Sequence, residues 1–170
     1  MTDLKAVVLA GLVLVAACTT DPGATDDTAP VLTPEAQAEL TVTAIQAACS
    51  DLCNDQPLYV RDQLLDTDTL IGAEEPMPAA ITEAISDAYP GVTWVDLVAA
   101  DAIIEDVDNR QAVLVAVSPF TELAPGVQGV EVGVTHGSFH GQVVQFQWNG
   151  IEWVQADSED TGVTVTSVVS

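Results

Sequence analysis

The stretch Val143-Val144-Gln145-Phe146-Gln147-Trp148-Asn149-Gly150-Ile151-Glu152-Trp153-Val154-Gln155 decides how the rest of the chain is read. Before Asn149-Gly150, the large apolar Val144, Phe146 and Trp148 alternate with Gln145 and Gln147. After it, Ile151 and Trp153 continue the apolar set with Glu152 between them. A period of two belongs to a strand, because successive side chains leave on opposite faces. Asn-Gly is favoured in two-residue type I′ loops, where both residues adopt positive φ. Such a loop pairs Trp148 with Ile151, Phe146 with Trp153 and Val144 with Gln155. One face of the hairpin is then wholly apolar, and it needs a cover, most simply helical.

Working toward the N-terminus, the same period recurs in Ala112–Val117 and Val127–Thr135, and in Val92–Ala99 beyond them. Val163–Val168 extends it at the other end. The cover comes earlier. Thr33-Pro34-Glu35 is a helix start, with a hydroxyl cap, proline in the first turn and a carboxylate near the positive end of the dipole. That helix runs to about Cys49–Cys53, with Leu40, Ala44, Ile45, Ala48 and Leu52 on its apolar face. Pro78 to Tyr89 reads as a second helix carrying Ile81, Ala84, Ile85 and Ala88, stopped by Pro90-Gly91. Leu58–Leu65 reads as a strand, and residues 66–76 as a polar loop. The expected fold class is α+β: two N-terminal helices packed on an antiparallel β-meander sheet.

Thr135-His136-Gly137-Ser138-Phe139-His140-Gly141 holds both histidines. Placing Val130, Val132 and Val134 on the face of Val144 and Phe146 puts Val132 opposite Val144. His136 then falls opposite His140 across an odd-length loop. Two facing imidazoles are weak candidate metal ligands, because a transition metal needs at least a third donor and none is identifiable.

The 170 residues suit one domain, expected over 33–170. Asp+Glu number 26 against Lys+Arg 3, a net charge of -23, while 48% of residues are hydrophobic. The charge excludes a phosphate-backbone binder, which needs a basic face. The apolar content excludes disorder throughout. Residues 1–17 have the form of a signal peptide: Lys5, then an uncharged apolar run too short to span a bilayer. Val15-Ala16-Ala17-Cys18 resembles the bacterial lipobox, although leucine is commoner than valine at its first position and Asp3 dilutes the positive charge before the run. The resemblance implies lipidation of Cys18, cleavage before it, and a membrane-anchored place in the cell envelope outside the cytoplasm. Residues 18–32 read as an acidic, flexible tether. Past residue 17, Arg61 and Arg110 are the only cations against 25 acidic residues.

With Cys18 lipidated, Cys49 and Cys53 remain, an even pair suited to a local disulfide in an oxidising compartment. Together with His136 they resemble the C-x3-C plus His set of thioredoxin-type copper-delivery proteins, which place their cysteines after a strand; here they end a helix. Asp106-Val107-Asp108-Asn109-Arg110 begins like an EF-hand loop, but Arg110 occupies a ligand position and Gln111 the place of the glycine. Asp66-Thr67-Asp68 has Ile71 at that place. Ser138 lacks the surroundings of a nucleophile elbow. No catalytic residue and no cofactor is assigned. The expected function is a non-catalytic binding or interaction module with an envelope protein or peptide as partner. The competing expectation is a metal-binding or thiol-redox protein using His136/His140 or Cys49/Cys53.

Overall fold

Helix α1 (Pro34–Cys49) begins where its local chemistry demands. Thr33 Oγ1 accepts from the Ala36 amide at 3.2 Å, satisfying one of the donors that a first turn leaves open. The buried face carries Ala38, Leu40, Ala44, Ile45 and Cys49. Thr41 joins it at 0% exposure because its hydroxyl donates to the Gln37 carbonyl at 2.7 Å. The helix breaks at Ser50, with φ 47°, and a single turn, α2 (Leu52–Asp55), follows. Cys49 and Cys53 are joined by a disulfide across this break, with Cα atoms 5.5 Å apart. Helix α3 (Ala79–Ala88) starts after Pro78 and buries Ile81 and Ile85.

The computed structural model describes residues 28–65, 73–96, 103, 107–108, 110–165 and 168–169. Within them the fold is mixed α+β, with four helices and a mostly antiparallel sheet. The strands are β1 (Leu58–Arg61), β2 (Gln63–Leu65), β3 (Ala73–Pro76), β4 (Thr93–Val95), β5 (Val113–Val117), β6 (Thr121–Ala124), β7 (Val127–Thr135), β8 (Phe139–Trp148), β9 (Trp153–Ala156) and β10 (Val168–Val169). A final turn of helix, α4 (Ser158–Thr161), lies between the last two. The main sheet runs β10-β8-β7-β5-β1-β4, with β6 added on β7 and β9 on β8; β2 and β3 form a separate pair.

The sheet departs from a pure meander at one end. β1 pairs in parallel with both β4 and β5. For β1 and β4 the cause is α3: a helix between two neighbouring strands returns the chain to its starting side, which makes them parallel. Residues 66–76 are not wholly loop, since Ala73–Pro76 pairs with β2. The strand expected over Val92–Ala99 is Thr93–Val95, with residues 97–99 outside the described set. Val163–Val165 is not strand. Its Val163 carbonyl instead accepts from Gln145 Nε2 at 2.9 Å.

Both hairpin registers differ from expectation by two residues. Trp148 pairs with Trp153 and Phe146 with Gln155, so the loop is Asn149-Gly150-Ile151-Glu152. The asparagine side chain explains the longer loop. Its Oδ1 accepts from both the Ile151 and Glu152 amides at 2.9 Å, and the Asn149 backbone N–H donates to the Glu152 carbonyl at 3.1 Å. Ile151 is thereby expelled to 85% exposure. In the other hairpin Val144 lies opposite Val130 and His140 opposite Val134. A three-residue loop, His136-Gly137-Ser138, closes it, with the His136 amide donating to the Ser138 carbonyl at 3.1 Å. A slip of two leaves every side chain on its face, so the apolar faces survive.

The core is one cluster in which α1 and α3 meet Val113, Val115, Val117, Val130, Val132, Val134, Val144 and Phe146 of the sheet. Leu32, just before α1, already belongs to it. On the reverse face Gly133 lets a ring lie flat on the strand: a Cβ there would come within 2.8 Å of Phe139 Cε2.

Candidate functional site

The groove at the start of α1

Ser118 and Pro119 bend the chain between β5 and β6. The Ser118 hydroxyl accepts from the Glu131 amide at 2.8 Å and donates to the Pro119 carbonyl at 2.9 Å. The bend delivers Phe120 to the helix side of the sheet, against the core. There its ring meets Phe146, centroids 6.1 Å apart. One residue into β6, Glu122 is the register partner of Gln128 on β7. The turn Pro125-Gly126 closes this end. Its Gly126 carbonyl accepts from the Trp148 amide at 3.0 Å, which ties the turn to β8. Trp153 on β9 is half-buried, packed on the core and on Trp148, with ring centroids 5.8 Å apart.

These residues floor an open groove of about 580 Å³, walled on its other side by residues 28–32 and Gln37. The size falls in the range of small-ligand and peptide sites. Val31 stands over it at 92% exposure. The lining offers aromatic surface from Phe120 and Trp153, amides from Gln37 and Gln128, and one carboxylate, Glu122. No lining residue is basic. The apolar hairpin face therefore divides: Phe146 is core at 0% exposure, while Trp153 serves core and groove together.

The other candidate residues

The structure does not set His136 opposite His140. His136 faces Ser138 across the loop, and its Nδ1 lies 3.0 Å from the Ala112 carbonyl, to which it donates. His140 Nε2 lies 2.8 Å from Ser138 Oγ, and its side chain is exposed. Among the described residues, no group of three or more His, Cys, Asp or Glu is arranged to hold a metal ion. Cys49 and Cys53 are both 4% exposed, and Cys53 borders a cleft of about 230 Å³ shared with Leu58, Tyr89 and Pro90. Cys18, Asp66-Thr67-Asp68 and Asp106 lie outside the described residues.

Two charged residues with desolvated side chains stand apart from the groove. Arg61 on β1 is 7% exposed, and its Nε and Nη2 have no hydrogen-bond partner among the described residues. Burial holds its pKa below the ordinary guanidinium value, against the opposing pull of Asp62. Glu131 on β7 is half-buried, and desolvation raises its carboxyl above the usual range.

Sequence reasoning placed Trp153 on the apolar face of the hairpin, and missed Phe120, Glu122, Gln37 and Gln128. The available signal was Ser118-Pro119 and Pro125-Gly126, two breaks that bring short segments to the same end of the sheet. Comparison of the chain with family models, with curated proteins and with solved structures finds no match. Among the described residues, no helix is long and apolar enough to cross a membrane.

Proposed function

We propose that this is a lipid-anchored extracytoplasmic binding module, held by Cys18 at a bacterial envelope membrane, whose groove grips a segment of a polypeptide partner. In this reading residues 1–17 are a signal peptide and Cys18 carries the lipid. The two helices and the sheet form the scaffold of a single domain. The observation that carries the binding role is the groove itself. Two half-buried aromatic side chains and two amides line an open concavity of the size that small ligands and peptides occupy. Residues 28–31 wall that groove, so the polypeptide leading back to Cys18 joins the fold at the binding end. Ten residues, Cys18 to Asp27, reach at most about 35 Å when fully extended, so an anchored groove stays close to the bilayer.

Two measurements test the two halves of this reading. Cys18→Ser should abolish acylation and shift the protein out of the detergent phase; unchanged mass and partitioning would refute the anchor. For the groove, peptides selected from a displayed library on the wild-type protein should fail on Gln128→Trp, which fills the groove from β7. Peptides that bind both proteins equally would refute the groove as the binding site.

A further inference from the structure

We infer that the occupant of this groove is a cationic peptide segment, with a Lys or Arg side chain lying over the Trp153 ring and its head group meeting Glu122. The inference rests on the groove being the binding site and adds the chemistry of what enters it.

The distribution of charge carries the argument. The chain has three basic residues, Lys5, Arg61 and Arg110. Lys5 lies outside the described residues, and Arg61 is buried on β1. Arg110 is exposed, but it packs against Gly137 in the loop after β7, whereas the groove lies where β7 begins. A nine-residue strand separates those ends by roughly 27 Å, well beyond a Debye length at physiological salt. The groove therefore faces solvent with one carboxylate, no local cation among the described residues, and a chain-wide charge of -23 behind it. A concave, low-dielectric wall of one sign concentrates ions of the other sign. A cation over an indole face gains further from the ring quadrupole.

The same arithmetic removes the two occupants nearest to hand. Residues 19–27 immediately precede the groove-lining residues 28–32 in sequence, yet they carry Asp21, Asp26 and Asp27 with no basic or large apolar residue. A second copy of the chain would bring its own charge of -23. What remains is a partner with basic residues and enough extended backbone to use the amides of Gln37 and Gln128.

The test uses the full chain, ¹⁵N-labelled, with the Trp153 indole N–H as reporter. Trp94 is the internal control, its indole donating to Ser86 Oγ at 3.2 Å on the α3 side. Three acetylated, amidated decapeptides share a Leu/Pro/Gln backbone and carry three Lys, three Gln or three Glu, and each is titrated at physiological salt. The Lys peptide should move the Trp153 indole and leave Trp94 in place. Glu122→Gln should weaken it about three- to fivefold, and Glu83→Gln, the same charge change on exposed α3, by less than about twofold. Equal affinity for the Gln peptide at Trp153 would overturn the cationic inference while leaving the groove reading intact. Equal losses from Glu122→Gln and Glu83→Gln would overturn it as well, showing diffuse attraction. If no peptide moves the Trp153 indole, the groove reading falls and this inference with it.

Discussion

Two nitrogens of the Arg61 guanidinium, Nε and Nη2, lie buried on β1 without a hydrogen-bond partner among the described residues. These form one edge of the planar fork, the edge that elsewhere takes a carboxylate in two parallel bonds. A buried cation left in this state opposes folding, and an apolar side chain of similar length removes the cost. Arg61→Met should therefore melt at the same temperature as wild type or higher in molar salt, where the lost positive charge matters little. A melt several degrees lower would show a carboxylate holding the guanidinium. Glu131 makes the opposite case at the same scale. Its carboxyl is raised above its ordinary value of 4.5 by desolvation, so the folded state holds its proton to higher pH than the unfolded state does. Ionisation then works against folding, and stability declines as pH climbs from the ordinary carboxylate value through the raised one. Glu131→Gln should flatten that decline and melt higher at neutral pH. An unchanged slope between pH 4 and pH 7 would refute the assignment.

Among elements, what could be read beforehand depended on how local the determining contacts are. The start of α1 was legible because Thr33, Pro34 and Glu35 act within one turn of one another. The strand faces were legible because alternation survives a slip of two. The registers were not, because Asn149 holds a four-residue loop with its own side chain, a choice the Asn-Gly pair does not announce. The parallel pairing of β1 was hidden for another reason: its partners lie more than thirty residues downstream. The groove draws its walls from five separate stretches, so no single stretch could reveal it. The disulfide between α1 and α2 lies at the local extreme. It closes a loop of about five residues, for which chain entropy gives about 2 kcal/mol, near the low end for such bonds. Reduction should lower the melting temperature by several degrees without unfolding the protein at 25 °C. Complete unfolding on reduction would mean that the bond organises more than this one helix break.

At the scale of the whole molecule, the sum of charges governs stability more than any pair of them. With a net charge of -23 and so few cations, most carboxylates have no basic side chain to meet. Their mutual repulsion is screened as the Debye length falls from about 10 Å at 0.1 M salt to about 3 Å at 1 M. The melting temperature should rise on adding molar sodium chloride. A flat or falling curve would show the charges to be already well spaced. One arrangement of the fold also reaches into time. Helix α1 comes first in the described chain, yet it rests on α3, β7 and β8, and β7 and β8 lie some eighty to a hundred residues further on. β1 likewise waits for β5 before it has neighbours on both sides. An amphipathic helix without its sheet is marginal in water, and pairings so distant in sequence form slowly. During synthesis α1 and β1 therefore gain their full set of sheet neighbours only once the last third of the chain exists. An unpacked chain is the form in which a polypeptide passes through a narrow translocation pore, so in the lipid-anchored reading proposed above the same connectivity that delays folding favours export.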